Sequence, residues 1–149
     1  MEIQIKKFRQ LSLDELYEIL KLRVDVFVVE QKCAYPELDN KDQHANHLIV
    51  SNGNQVVGYL RIYYPDPTRA AIGRVLTLES FRGQGLSRKM MEEALSFLQD
   101  KSKIETIYLQ AQEHLSNFYA SFGFEKTSDV YLDDGIPHVD MEKIVKTEE

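Results

Sequence analysis

Cysteine is nearly missing from this chain. Cys33 stands alone among 149 residues, so an internal disulfide is excluded, and without neighbouring ligands it makes no metal site. A partly buried loop thiol is the plain reading. Long apolar runs are missing too: no stretch approaches the roughly 20 residues of a membrane-spanning helix, and the opening MEIQIKKF lacks the apolar core of a secretion signal. These two absences predict a cytoplasmic protein with no membrane partner. Basic residues are in deficit, 18 Lys and Arg against 24 Asp and Glu, for a net charge of −6. That balance argues against nonspecific nucleic-acid binding and leaves room for a small cationic substrate. Repeats and low-complexity tracts are absent, and the length suits one domain over residues 1–149 with a single layered core.

What is present is organised around residues 72–95, IGRVLTLESFRGQGLSRKMMEEAL. Val75, Leu76, Thr77 and Leu78 form a short apolar run of the kind that makes a buried strand. A turn follows through Arg82, Gly83, Gln84, Gly85, Leu86 and Ser87, and then a helix with Leu86, Met90, Met91, Ala94 and Leu95 on one face. Glycines at 83 and 85 reach backbone angles other residues resist, and the first helical N–H groups point outward with the positive end of the helix dipole. Arg82, Arg88 and Lys89 add charge to the same end. The pattern fits an anion site of polyphosphate size. It is neither a dinucleotide fingerprint, which needs a third glycine, nor a P-loop, which needs Gly-Lys-Ser/Thr after four spacers.

The rest of the chain supplies a frame. Residues 2–8 alternate as an edge strand. Ser12 and Glu15 make a capping box for a helix to about residue 29, with Leu13, Leu16, Tyr17, Leu20, Val24 and Phe27 as its apolar stripe. Residues 30–43 form a long connection, read as a substrate-side loop. Residues 47–50 and 55–63 flank an Asn52-Gly53 hairpin signal. After the central helix, residues 104–109 read as a strand parallel to the one before the glycine turn, because a right-handed crossover is the economical connection. A short helix over 113–122 ends at Gly123, and a hairpin turning at Asp133-Asp134-Gly135 returns as residues 136–145. The sum is an α/β protein, a mixed sheet with helices on both faces. Its ligand site is expected at the carboxyl ends of the parallel strands.

Two motifs then carry a resemblance. Arg82, Gly85 and Ser87 after a strand resemble motif A of the GCN5-related N-acetyltransferases, and Tyr119, four residues before Gly123-Phe124, resembles their motif B. More narrowly, LRVDVFVVEQ, AQ with HL-x-NFY-x-SFGF, and DGIPH are similar to the ElaA-like branch, over residues 22–141. The resemblance implies a parallel strand pair that splays apart and acetyl-CoA as the acyl donor. Val75, Leu76 and Thr77 would meet the pantetheine arm. Arg82, Gly83, Gln84, Gly85, Leu86, Ser87 and Arg88 would surround the pyrophosphate, and Gln112 is assigned to the cofactor as well. Ser87 departs from the usual glycine or alanine and puts affinity in question.

The implied chemistry is direct attack by an amine of a small molecule, a peptide N-terminus or a lysine on the thioester. The Leu76 amide would stabilise the oxyanion and Tyr119 would serve as acid toward the thiolate. Glu30 ranks first and His47 second as general base, with Glu79 and His114 as further candidates and His138 below them. Acidic Asp25, Glu30, Glu37, Asp39 and Asp42 suggest a cationic acceptor. The C-terminal hairpin, through Tyr131, Ile136 and Val139, offers a route to a homodimer. A non-catalytic acyl-CoA-binding or interaction module with the same fold stands as the alternative. On the acetyl-CoA reading, acetyl-CoA raises the melting temperature more than ATP or NAD does at equal concentration, a ranking that a thermal-shift assay measures.

Overall fold

The computed structural model of the chain describes residues 1–145. In chain order its elements are β1 (Glu2–Lys7), α1 (Leu13–Val24), β2 (Asn46–Asn52), β3 (Gln55–Asp66), β4 (Arg69–Thr77), α2 (Leu86–Gln99), β5 (Thr106–Gln112), α3 (Ser116–Ala120), β6 (Glu125–Lys126), β7 (Tyr131–Asp133) and β8 (Ile136–Ile144). The strands make one mixed sheet in the order β1-β2-β3-β4-β5-β8-β6, with β7 also pairing β8. Neighbours are antiparallel except β4 and β5, the pair joined by the α2 crossover. The parallel pair and the edge position of β1 are as the sequence predicts.

Side chains alternate across the central strands, so each face finds its own helix. Leu48, Val50, Leu60 and Ile62 pack with Met90, Met91, Ala94 and Leu98 of α2, and Tyr119 and Phe124 extend the same core. Ile49, Tyr59 and Leu76 face the other way, against Ile19 of α1. Gly58 sets how closely α2 approaches: a Cβ there would lie 2.9 Å from the Met90 sulfur and 3.2 Å from a Val50 methyl. A larger residue would push the helix off the sheet.

The first helix departs from its expected stripe. Its capping box forms, with the Glu15 amide 3.0 Å from the Ser12 hydroxyl and the Ser12 amide 2.9 Å from the Glu15 carboxylate. Leu13 and Tyr17, however, are 86% and 74% exposed, and the fully buried positions are Ile19 and Arg23. An arginine occupies the core position one turn after Ile19, so counting apolar residues rotates the face. Beyond Val24 the chain widens into a π-helical turn, Asp25–Glu30, through a run of β-branched residues with weak α-helical preference. In the C-terminal hairpin Val139 is 1% exposed and part of the core, so that side chain offers nothing to a second copy, whereas Tyr131 and Ile136 are half-buried.

Arg23 is buried because carboxylates follow it inside. Its Nε and Nη1 lie 2.7 Å from Glu37 and 2.7 Å from Asp42. Arg61 reaches Asp42 at 3.1 Å and Asp39 at 2.5 Å, and Arg74 reaches the same Glu37 oxygen at 2.7 Å. Three arginines from α1, β3 and β4 thus fasten the 31–41 loop. Burial opposes the charge of Asp39 and Asp42, but their arginine partners outweigh it and hold both carboxyls below the ordinary range. A carboxyl depressed in the folded state contributes stability that is fully present above the unfolded value near 3.9 and is lost progressively as pH falls from there through the lower folded value. Chemical denaturation is therefore expected to show the contribution of these carboxylates held down to about pH 5 and lost steeply below about 4, while burial, which lowers the His47 value, adds a separate loss that begins as pH falls below about 6.5. Arg23→Ala, which leaves the buried cluster one positive charge short, with Glu37 held only by Arg74 and Tyr35 and Asp42 only by Arg61, lowers stability at neutral pH by about 3–5 kcal/mol.

Candidate active site

The site begins where the parallel pair stops pairing. Only Arg69, Ala70 and Ala71 of β4 lie beside Thr106, Ile107 and Tyr108 of β5. Beyond them a bulge sets Arg74 and Val75 against the single residue Leu60, since Tyr59 pairs with Leu76 and Arg61 with Gly73. Arg74 takes a left-handed φ of 54° at that bulge, a strained conformation for a side-chain-bearing residue. A bulge bends its strand. β4 accordingly leaves β5, and a wedge opens between Val75 to Thr77 on one side and Leu109 to Gln112 on the other.

At the far end of β4 the chain turns into α2. Gly83 and Gly85 have φ of 75° and 79°, and a Cβ at either would meet nothing within 4 Å. Glycine is thus required there by backbone angle, and the space beside it is open. Gly85 caps α2 without any side-chain hydrogen bond, so the amides of the first turn remain available to an anion. Arg82 donates to the Thr77 carbonyl at 3.1 Å and holds Glu30 through two contacts of 3.0 and 3.1 Å. Arg88 stacks over the Phe122 ring at 4.7 Å.

Two cavities occupy the wedge. The larger, about 560 Å³, is lined by Val75, Leu76, Thr77, Arg82, Gly83, Gly85, Leu86, Ser87 and Arg88, with Glu30, His114 and Phe118 around it. The smaller, about 190 Å³, lies toward the 31–41 loop and the β7–β8 hairpin. Phe27, Gln31, Val75, Gln112, Leu115 and Tyr119 line both, so the two meet at these six side chains. The π-helical turn presents Phe27, and Gln31 just after it accepts from the Gln112 amide at 3.5 Å across the gap. Tyr119 packs edge-on against Phe118 and Phe124, and burial alone pushes its phenol up to about 12. A phenol so placed keeps its proton and is a donor at neutral pH.

An acetyltransferase (GNAT) domain matches residues 15–145 of the chain. This protein belongs to the GNAT acetyltransferase family. Within the family it resembles protein ElaA of Escherichia coli, 39% identical over 140 residues that span 91% of this chain and 92% of that one. A UPF0039 protein of Schizosaccharomyces pombe is 45% identical over 143 residues, 95% of each chain. The crystal structure of an acyl-CoA N-acyltransferase from Pseudomonas aeruginosa matches at 37% identity with a TM-score of 0.90, covering 96% of this chain and 99% of that one. The GNAT fold and the ElaA-like branch are therefore as the sequence indicates.

Individual residues fare unevenly in this GNAT wedge. Of the loop positions, Gln84 does not line the large cavity; its amide donates to the Ser80 carbonyl at 3.4 Å. His47 was expected to reach the cleft from its strand, and it does not. It is fully buried, with Nδ1 2.5 Å from the Tyr59 hydroxyl and Nε2 2.9 Å from the Asp42 carbonyl, and it lines neither cavity. Glu30 reaches only the large cavity and is bound to Arg82. Glu79 is exposed on a 3₁₀ turn outside both cavities. The acidic cluster does not face an acceptor as free charge, because Glu37, Asp39 and Asp42 are held by arginines and Asp25 by Lys21 at 2.9 Å. Sequence reading missed the arginines that do this; Arg23 amid an apolar helix was the available signal. The Glu30–Arg82 pair is about two-fifths exposed on each side, so Glu30→Gln is expected to change unfolding free energy by less than about 1 kcal/mol. The same variant frees Arg82 and tightens coenzyme A binding in calorimetry.

Proposed function

We propose that this chain is an acetyl-CoA-dependent N-acetyltransferase that moves the acetyl group to a primary amine by direct attack, and that residues 1–149 form the one domain that does so. The observation that carries the reading is the junction of the two cavities at Tyr119, with a glycine-turned, uncapped helix start at the end of the larger one. The larger cavity is the donor side in this reading and the smaller the acceptor side. Acetyl-CoA, when bound, supplies a thioester carbonyl as the electrophile. The amides of residues 83–88, with Arg82 and Arg88, hold its pyrophosphate, and the unpaired edge of Val75, Leu76 and Thr77 aligns the pantetheine arm. Gln112 borders that arm from the opposite strand.

The main-chain amide of Leu76 is assigned the oxyanion. One such donor is worth about 3–4 kcal/mol in the barrier. Tyr119 serves the leaving group. With its phenol at about 12, complete proton transfer to a thiolate whose acid lies near 8.5 runs uphill by ~5 kcal/mol. Tyr119 therefore acts by donating a hydrogen bond to the developing thiolate while retaining its proton. Among the described residues the site needs no nucleophile of its own, since the amine attacks directly.

Thiol release tests this. Acetyl-CoA is offered with polyamines, amino acids and short lysine peptides, and at least one acceptor is expected to release free thiol. Tyr119→Phe is expected to lower kcat about 10- to 100-fold with the Kd for coenzyme A unchanged. Gly85→Ala, forced into a left-handed conformation, is expected to weaken coenzyme A binding and to cost about 1–2 kcal/mol of stability. An absence of thiol release across the panel, with coenzyme A still bound, would overturn the catalytic reading in favour of an acyl-CoA-binding module.

A further inference from the structure

We infer that His138 is the general base that takes the proton from the acceptor ammonium, an assignment that rests on the N-acetyltransferase reading above. His138 belongs to the DGIPH stretch, which the proposed function leaves without a role. Asp134 and Gly135, with φ of 49° and 79°, turn β7 into β8, and β8 lies between β5 and β7. Its register sets His138 directly opposite Gln112 on β5 and Tyr131 on β7. Side chains directly opposite on antiparallel strands share a face, with Cβ atoms about 4.5–5.5 Å apart. Gln112 lines both cavities and His138 lines the smaller one. The imidazole thus stands on the acceptor side, next to the junction where donor and acceptor meet.

Its tautomer is fixed by one hydrogen bond. Nδ1 is 2.8 Å from the Ile136 carbonyl oxygen, and a carbonyl can only accept, so Nδ1 carries the hydrogen. The neutral ring then holds its lone pair on Nε2. The ring is held in place by stacking on Tyr131 at 6.2 Å and 25°, and Tyr131 is itself anchored through its hydroxyl to Asp140 at 2.5 Å. A half-buried imidazole with an orienting carbonyl on one nitrogen and a free lone pair on the other is built to receive a proton.

Of the other titratable groups that line the acceptor cavity, Asp39, Tyr35, Cys33 and Arg74 are engaged by polar partners. Asp39 is bound by Arg61 at 2.5 Å. The Tyr35 hydroxyl donates to Glu37, and the Cys33 thiol donates to the Asp134 carbonyl at 3.4 Å and is held protonated by burial and by neighbouring carboxylates. Tyr108 is a phenol pushed up to about 12, chiefly by burial. Lys41 and Arg61 are cations over the Tyr63 ring, and Arg74 is tied to Glu37. Asp133 and Asp134 sit on the exposed hairpin tip. The step balances: the alkylammonium gives one proton to Nε2, and the N–C bond forms as the C–S bond breaks. Of the two hydrogens left on nitrogen, one ends on the departing sulfur and the other stays on the amide, and His138 returns its own proton to solvent.

The test compares two acceptors in the full-length protein at saturating acetyl-CoA: the best alkylamine of the thiol-release panel, protonated at neutral pH, and methoxyamine, which is not. His138→Gln is expected to slow the alkylamine about a hundredfold, to leave methoxyamine within about threefold, and to leave the Kd for acetyl-CoA unchanged. In His138→Ala, added imidazole is expected to restore part of the alkylamine rate and none of the methoxyamine rate. Equal slowing of both acceptors in His138→Gln, without imidazole rescue of His138→Ala, would mean that the ring only packs and would overturn the assignment. An unchanged alkylamine rate would overturn it too while leaving the acetyltransferase reading intact. Wild-type protein inactive with both acceptors would bring down that reading and this one together.

Discussion

The arrangement of this protein follows from how briefly β4 and β5 stay paired. Parallel strands joined by a helical crossover ordinarily continue side by side, satisfying each other's backbone groups along their length. Here the ladder ends after Ala71 and Tyr108, and the bulge at Arg74 and Val75 turns β4 away. The departure leaves main-chain groups of residues 75–77 facing a gap inside the molecule, bounded by Tyr119 and Gln112 and reached from two sides. A backbone edge left open inside a compact sheet is a costly feature, and it sits where a ligand's amides and carbonyls can take the place of the missing strand.

Behind the wedge lies an ionic cluster tied to the bulge through Arg74. One Glu37 oxygen accepts from Arg23 of α1 and from Arg74 on the bulge, so the loop, the helix and the bent strand share a fixed point. Buried ion pairs of this kind give little net stability over a well-packed apolar alternative, because desolvation offsets most of the attraction. Their geometric demands are stricter than those of apolar contacts, and here those demands fall on a left-handed arginine. The cluster also changes the character of the smaller cavity. Carboxylates that looked like a lure for a cation are neutralised internally, leaving a cavity walled by tyrosines, paired charges and an imidazole.

Much of this was legible in one dimension. The strand, glycine turn and helix of residues 72–95 depend on local rules: backbone angles only glycine reaches easily, and one apolar helix face. Both survive into the structure, with Gly83 and Gly85 left-handed and Leu86, Met90, Met91 and Ala94 buried, while Leu95 is half-buried and Leu98 takes the core position in its stead. The Ser12–Glu15 box and the Asp134–Gly135 turn are local in the same sense. Where structure and expectation part, one cause recurs. Its own strand gives His47 a place at the cleft, yet its partners, Tyr59 and Asp42, come from elsewhere in the chain and hold it in the core; the Arg82 that binds Glu30 at the rim of the large cavity is likewise distant in sequence. The stripe of α1 was judged by hydrophobicity, while its core position is an arginine whose carboxylates lie 14 and 19 residues later.

By itself, then, the sequence determined the elements, their order, the crossover that makes β4 and β5 parallel, and the family, because each rests on patterns within one turn or one strand. Tertiary structure alone decided which charges are spent inside, where β4 leaves β5, and which histidines line the cavities and which is sealed in the core. Those outcomes depend on contacts between segments far apart in the chain, and on the balance between desolvating a charge and pairing it. No spacing along the sequence encodes that balance.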